Sequence, residues 1–462
     1  MNTRSFIVIA PLAGAGLAAL LIWLGVERDI ALTAGITLTT ALWWVTEAIP
    51  IPAASIFPFA AFPFAGIMTH AEAGAALGNT VILLLMAAFM LSKSLEKSGV
   101  HERFAVGMIR LIGGGQTGGF GAGARLVAAF MLAAALLSMW ISNTATVLML
   151  TPIALAILSR GSDARLAAPL LLGIAYASSL GGTGTLIGTP PNLIFAAVYE
   201  QETGTEFGFM RWMMTGVPIV ALGVPLMALW LCRRILSVSA PAIEASGAWR
   251  SEERRVLIVF AVTVLAWVFR TEPFGGWTGL FGLTGVADST IGLLAVVVMF
   301  IIPNGKGGQL LDWRTAGSIP WGMLLLFAGG ICIATGFVES GLSELIGQGL
   351  AGLSALHVFA LLLALCLAVT FLTEITSNTA TATLLMPILA AVAFGTGLPP
   401  ELLMVPAAIS ASCAFMLPVA TAPNAIVYAT ERTTIAQMMR EGFVLNLIVA
   451  VVVAVVSYFT LQ

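Results

Sequence analysis

The sequence predicts an all-α polytopic membrane protein of about 11 transmembrane helices plus two re-entrant helical hairpins, arranged as an inverted repeat. Three observations predict it. Of 462 residues, 59% are hydrophobic and only 9% charged, where a soluble domain carries about 25% charged residues. Apolar runs such as Leu257–Val268, Ile291–Ile302 and Val444–Val456 recur along the chain, and about 20 mainly apolar residues cross a bilayer core. The two halves also share three motifs in the same order.

Taken in order, crossings are expected near 6–26, 30–47, 52–69, 79–98, 167–200, 209–232, 255–270, 287–303, 319–338, 402–430 and 441–460. The first, Phe6–Val26, follows Arg4 as a signal peptide would. It is longer than a typical signal-peptide core, so it reads as an extra N-terminal transmembrane helix within 1–28. Segments 167–200 and 402–430 are interrupted by Gly and Pro. The polar stretch at 237–254 is a linker between a first repeat at 29–236 and a second at 255–462.

Cytoplasmic loops of membrane proteins are enriched in Lys and Arg. With the N-terminus inside, this layout places every Lys and Arg on the cytoplasmic side except Arg28, Arg211 and Arg270. The outside collects Glu200, Glu202, Glu206, Glu272 and Asp288 instead. The four cysteines, Cys232, Cys332, Cys366 and Cys413, lie in apolar segments without a CxxC pair and read as small hydrophobes. His70, His101 and His357 are isolated, and there is no HExxH or GxSxG pattern and no close Asp pair. No enzyme active site is expected, and no nucleic-acid partner.

The repeat is carried by paired motifs. Ile141-Ser-Asn-Thr-Ala-Thr146 answers Thr376-Ser-Asn-Thr-Ala-Thr381, and each runs into an apolar helix with a proline, Pro152 or Pro387. Gly188-Thr-Pro-Pro-Asn192 answers Ala420-Thr-Ala-Pro-Asn424, and Ser98-Gly99 answers Ser340-Gly341. Arg103, Arg110, Arg125, Arg160 and Arg165 bracket the first Ser-Asn-Thr, whereas no Lys or Arg occurs between Arg314 and Arg432 around the second. By the charge rule the two segments enter from opposite sides, which makes the repeats inverted.

Within the segment at about 122–158, the stretch from Leu126 to Leu158 is too short for two crossings and too long for one, and both ends carry Arg. A re-entrant hairpin with its tip near Ser142-Asn143-Thr144 satisfies both facts. For 355–394 the length alone leaves two crossings open, and the repeat selects a hairpin. Non-helical backbone at membrane depth persists only where it faces protein or lines a cavity. Ser, Asn and Thr at such a tip cap the following helix, whose N-terminus favours an anion. Small polar residues also serve simply to pack helices, but two copies at opposed tips point to a ligand site. The Pro-interrupted segments free backbone carbonyls, which with hydroxyls suit a hard cation such as Na⁺.

No Lys or Arg is expected near either tip, so an anion would be held by hydroxyls, amides and helix N-termini, with bound cations offsetting its charge. Glu374 and Glu47 stand in apolar surroundings, where a carboxylate is a functional candidate. Glu374 reads equally as a structural hydrogen-bond acceptor, and Glu47, beside Pro50 and Pro52, as structural.

The paired Ser-Asn-Thr motifs, Trp44-Val-Thr-Glu-Ala-Ile-Pro50, Gly188-Thr-Pro-Pro-Asn192 and the run from Ser412 through Phe415 and Pro418 to Asn424-Ala-Ile-Val427 resemble the divalent anion:sodium symporter family. The resemblance covers nearly the whole chain. It implies an inverted-repeat transporter with scaffold and transport domains, a homodimer with an elevator motion, and sodium-coupled uptake of C4-dicarboxylates across a bacterial inner membrane. One sodium site would use Ser138, Ser142, Asn143 and the Gly188 carbonyl, and the other Thr373, Thr376, Asn378 and the Ala420 carbonyl. A further sodium beyond these two is also implied. The substrate would meet Ser142, Asn143, Thr144, Ser377, Asn378 and Thr379, with Thr189 and Thr421 nearby. His101–Gly113 and Ser343–Leu353 would be interfacial arms of the scaffold, in contact with membrane lipid. The sequence departs from many relatives at Thr421-Ala422-Pro423, where they read Thr-Pro-Pro, which bears on substrate preference. A sodium-independent exchanger, a sulfate carrier of the same family and an anion channel are the competing readings.

Overall fold

The computed structural model describes residues 5–113, 121–159, 163–238, 249–272, 274–283, 285–350 and 357–462. Among them the chain is helical throughout, with one isolated β-bridge between Pro303 and Gln309. Among the described residues seven helices are long and apolar enough to cross a membrane. Shorter apolar helices include both arms of the first hairpin, Val358–Thr373 of the second and Pro400–Ala411 of the second broken segment.

The main helices recur in the same chain order in the two halves, with the short helix Gly276–Leu280 added in the second. Arg28–Thr46, Ile51–Ala65 and Thr80–Ser98 are answered by Ser251–Val268, Asp288–Ile301 and Trp321–Ser340. Next come the amphipathic helices Val100–Gly113 and Leu342–Leu350, then the hairpins Ala122–Ser138/Asn143–Ser159 and Val358–Thr373/Asn378–Thr396. The broken helices Ala167–Gly181/Pro190–Thr203 and Pro400–Ala411/Ala422–Tyr428 follow, and Phe209–Cys232 and Ile435–Thr460 close the halves. Phe6–Trp23 stands before the repeat and packs on Arg28–Thr46.

The shared Ser-Gly pair explains how the chain turns from each long helix into the amphipathic helix that follows. Gly99 (φ 73°) and Gly341 (φ 79°) end the preceding helix in the left-handed region, which glycine enters without a Cβ penalty. Ser98 and Ser340 then accept from the N–H of Val100 (3.3 Å) and Leu342 (3.4 Å), capping the helix that follows. Leu342–Leu350 approaches the second hairpin so closely that a Cβ at Gly395 would lie 2.3 Å from the Gly347 carbonyl.

Several boundaries differ from expectation. The segment read as 52–69 ends at Ala65, because Gly66 (φ 78°) turns back to the Phe62 and Pro63 carbonyls. The helix expected from 255 starts at Ser251, so the described end of the 237–254 linker is already helical. Residues 239–248 of that linker, Arg160, positions 351–353 of the second arm and 355–356 of the second hairpin lie outside the described residues.

Several charges are paired. Arg270, only 8% exposed, holds Asp288 at 2.7 Å and Glu206 at 2.9 Å. Arg211 pairs with Glu401 at 2.6 Å. Lys97 reaches Asp312 at 2.6 Å and holds its carboxyl down at about 2, with the Thr315 N–H as a second donor. Trp44 of the Trp-Val-Thr-Glu motif is buried and donates to Ser55 Oγ (2.9 Å), while Glu47 is exposed at a left-handed helix end.

Candidate functional site

Each tip forms because an apolar helix is stopped and a second one begins within a few residues. In the first hairpin the helix ends at Ser138 and the next starts at Asn143, with Ser142 Oγ accepting from the Ala145 N–H (3.2 Å). In the second the helix ends at Thr373, and Ser377 is the N-cap of Asn378–Thr396. In the broken helices Thr189 and Thr421, both extended, precede Pro190 and Ala422-Pro423. Proline suits the first turn of a helix, where its missing N–H is no loss.

All four features converge. One cavity of about 500 Å³ is lined by Ser142, Asn143 and Thr144 of the first tip, Ser377, Asn378 and Thr379 of the second, and Gly188, Thr189, Ala420 and Thr421 of the breaks. Three helices, Asn143–Ser159, Pro190–Thr203 and Asn378–Thr396, therefore start at its wall, and their N-termini bring partial positive charge to it.

The two halves use the same internal wiring. Ser138 Oγ donates to Asn143 Oδ1 (2.5 Å), and Thr373 Oγ1 to Asn378 Oδ1 (2.8 Å). Asn192 Nδ2 donates to the carbonyls of Gly182 (3.1 Å) and Thr185 (2.8 Å), clamping the first break. Asn424 Nδ2 does the same to Ala414 and Leu417, both at 3.0 Å and at the same sequence separations. Backbone crowding is severe at the first break. A Cβ on Gly182 would lie 2.6 Å from Asn143 Oδ1 and 3.1 Å from the Gly188 carbonyl, so those two oxygens face one small space.

The tip asparagines are thus divided. Their Oδ1 atoms turn inward to Ser138 and Thr373, whereas among the described residues neither Nδ2 makes a hydrogen bond. Thr144 and Thr379 line the cavity with hydroxyls that are likewise unengaged. Unengaged donors are what a carboxylate requires. Ser138 and Thr373 are fully buried behind the tips and are not part of the cavity wall. Thr376 is also outside the wall, bonded to the Leu372 carbonyl (2.9 Å) and Thr381 Oγ1 (2.6 Å).

One expectation changes, and one open alternative is decided. The cavity does hold a cation, since Lys93 lines it, but its ammonium is paired with Glu96 at 2.7 Å. Lys93 and Glu96 sit near the end of Thr80–Ser98, one turn apart on that helix. Glu374 is structural: its Oε1 accepts from the N–H of Phe415 (2.7 Å) and Met416 (2.9 Å) and from Asn446 Nδ2 (2.8 Å), and its Oε2 from Leu417 N–H (3.0 Å). It holds the second break against the second tip. In the first half the corresponding link is Thr185 Oγ1 donating to the Met139 carbonyl.

Sequence reasoning missed Ser178 and Ser179. Ser178 Oγ bonds the Asn143 carbonyl (3.1 Å) and Ser138 Oγ (3.0 Å), while Ser179 lines the cavity with a buried, unpartnered Oγ. The only sequence signal was a pair of serines near the end of an apolar helix.

A helical fold of apolar helices in which two hairpin tips and two helix breaks share one cavity is that of a membrane transporter. Residues 41–401 match the citrate transporter family. Similar relatives include the sodium-dependent dicarboxylate transporter SdcS of Staphylococcus saprophyticus, 38% identical over 451 residues covering 92% of this chain and 85% of that protein. SdcS of Staphylococcus aureus is 37% identical over 455 residues, with the same coverage of 92% and 85%. Among solved structures, the YdaH transporter of Alcanivorax borkumensis shares the fold at a TM-score of 0.56 and 15% identity, over 82% of this chain and 85% of that one. The chain belongs to the citrate transporter family, among the divalent anion:sodium symporters.

Proposed function

We propose that the protein carries C4-dicarboxylates, succinate-like dianions, into the cell together with sodium, across a bacterial inner membrane. The observation that carries this reading is the division of Asn143 and Asn378. Each turns its oxygen toward a buried hydroxyl and leaves its nitrogen unengaged in a shared cavity. A cation beside Asn143 Oδ1, with Ser138, Ser142 and the Gly188 carbonyl, and another beside Asn378 Oδ1, with Thr373, Thr376 and the Ala420 carbonyl, would offset a dianion held by the asparagine amides and by Thr144 and Thr379. Ser142, Ser377, Thr189 and Thr421 complete the substrate wall. The names of the relatives, which state sodium dependence and dicarboxylates, support the same reading.

The site faces inward. The cavity extends from the tips to Lys93, Glu96 and Ser318, all on the side that the charge rule makes cytoplasmic. One wall consists of tips and breaks, the other of Thr80–Ser98 and the start of Trp321–Ser340. In an elevator motion the hairpins, broken helices and closing helices move as a transport domain against a scaffold of the remaining helices, and the scaffold pairs into a homodimer.

Two sodium ions neutralise a dianion, and a further one makes the loaded carrier net positive. Moving one net charge is worth about 2.3 kcal/mol per 100 mV, or well over tenfold in accumulation. In proteoliposomes, labelled succinate uptake is expected to require sodium with a cooperative dependence and to accelerate under an inside-negative potential. Uptake indifferent to sodium and to potential would establish an exchanger instead.

Thr144→Val and Thr379→Val keep shape and remove a cavity hydroxyl. A hydrogen bond to a charged group contributes about 1.5–3 kcal/mol, so each is expected to weaken apparent succinate affinity roughly tenfold or more. The sodium concentration for half-maximal uptake should barely move. A shift in sodium dependence at unchanged succinate affinity would place these hydroxyls on the cation instead.

A further inference from the structure

A second cavity of about 220 Å³ lies away from the tips, where three helix ends meet on the cytoplasmic face. Its wall carries four arginines from three elements: Arg165 from the turn before Ala167–Gly181, Arg233 and Arg234 after Phe209–Cys232, and Arg440 in Ile435–Thr460. Only two carboxylates answer them. Glu441, also in the wall, takes both Arg233 (2.7 Å) and Arg440 (2.9 Å), and Asp163 takes Arg165 (2.7 Å). Arg234 is exposed and has no partner among the described residues. The cluster therefore keeps an excess of positive charge.

Beneath the arginines the floor is apolar, formed by Leu172, Leu231 and Ile235, all buried. Two of the three helices, Ala167–Gly181 and Ile435–Thr460, begin here and direct their N-terminal partial charge the same way. Arg233 lies flat over Trp230, 3.7 Å from the ring centroid, which fixes its guanidinium in place. Arginines scattered for topology would be solvated singly. These converge on one concavity at the membrane surface, with planar donors suited to phosphate oxygens.

We propose that this cavity binds a phosphate-bearing anion, with the headgroup of an anionic phospholipid or a free phosphate as its source. The arginine forks hold the phosphate oxygens, and the apolar floor accepts the adjoining glycerol when the ligand is a lipid. Basic pockets between transmembrane helices on the cytoplasmic side take such headgroups.

The test uses the full-length protein, delipidated in detergent, with cardiolipin, phosphatidylcholine or inorganic phosphate added. Lipid adducts are counted by native mass spectrometry, and phosphate is followed by thermal shift. The variant Arg165→Gln/Arg234→Gln removes two wall arginines whose loss breaks no contact between helices. Arg254→Gln/Arg314→Gln removes two exposed arginines elsewhere on the same face. Cardiolipin binding is expected to weaken on the order of tenfold in the first variant and to match wild type in the second, with phosphatidylcholine unaffected. Stabilisation by phosphate alone, lost only in the first variant, would make the source soluble and keep the site. Equal loss in both variants, or no loss in either, would overturn the site.

Discussion

Asn143→Ala and Asn378→Ala are each expected to cut sodium-driven succinate uptake on the order of a hundredfold, with the folded protein retained. Each amide serves two ligands in the proposed site. Its oxygen faces the cation pocket through Ser138 or Thr373, and its nitrogen faces the cavity. A hydrogen bond to a charged group is worth about 1.5–3 kcal/mol, and losing one amide removes contacts to both cargo ions at once. Two such losses correspond to two or more decades in occupancy at fixed concentrations. Neither asparagine fills a core, since both are part of a cavity wall, so heat stability without substrate should stay near wild type. Asn→Asp at the same positions offers a contrast: it keeps the oxygen for a cation and removes the donor for a carboxylate. Uptake near wild-type levels in either alanine variant would refute the shared site.

Glu374→Ala should have the largest effect on stability. The side chain is 4% exposed and accepts from three successive backbone N–H groups, Phe415, Met416 and Leu417, and from Asn446 Nδ2. Removing it strands four donors, of which Phe415 N and Asn446 Nδ2 are buried. An unsatisfied buried donor costs about 1–3 kcal/mol, so the loss is expected to reach roughly 3–6 kcal/mol. Glu374→Gln should fall between, because its NH₂ group must face N–H donors with no acceptor to offer. The measurement is the midpoint of heat-induced aggregation in detergent, read by size-exclusion chromatography. If Glu374→Ala were as heat-stable as wild type but inactive, Glu374 would be a transport residue and its structural assignment would fail.

The contrast between Asn378 and Glu374 shows where the primary structure was sufficient. Both stand near the second tip, and both are polar residues in apolar surroundings. Asn378 is legible because Asn143 repeats it in the same motif with opposite flanking charge, and two copies point to a shared site. Glu374 has no such counterpart; Met139 occupies the matching place before the first tip. Its role depends on Phe415–Leu417 and Asn446, far away in the chain, so only the folded structure could assign it.

The second hairpin needed the repeat, since its length alone left two crossings open, whereas the helical class and the first hairpin are legible in local quantities. These are apolar run length against bilayer thickness, Lys/Arg placement, and Pro or Gly where a helix must stop. Bilayer physics makes them unusually readable, because every backbone group at membrane depth must be satisfied within its own helix or inside protein. The tertiary structure decided what long-range packing alone creates. It set Lys93 and Glu96 in the same cavity as the tips and brought Ser178 and Ser179 to the first tip. It also gathered arginines from three separate helix ends into one pocket. Side chains from distant segments meet through packing of whole helices, and no periodicity or motif in the sequence encodes that distance.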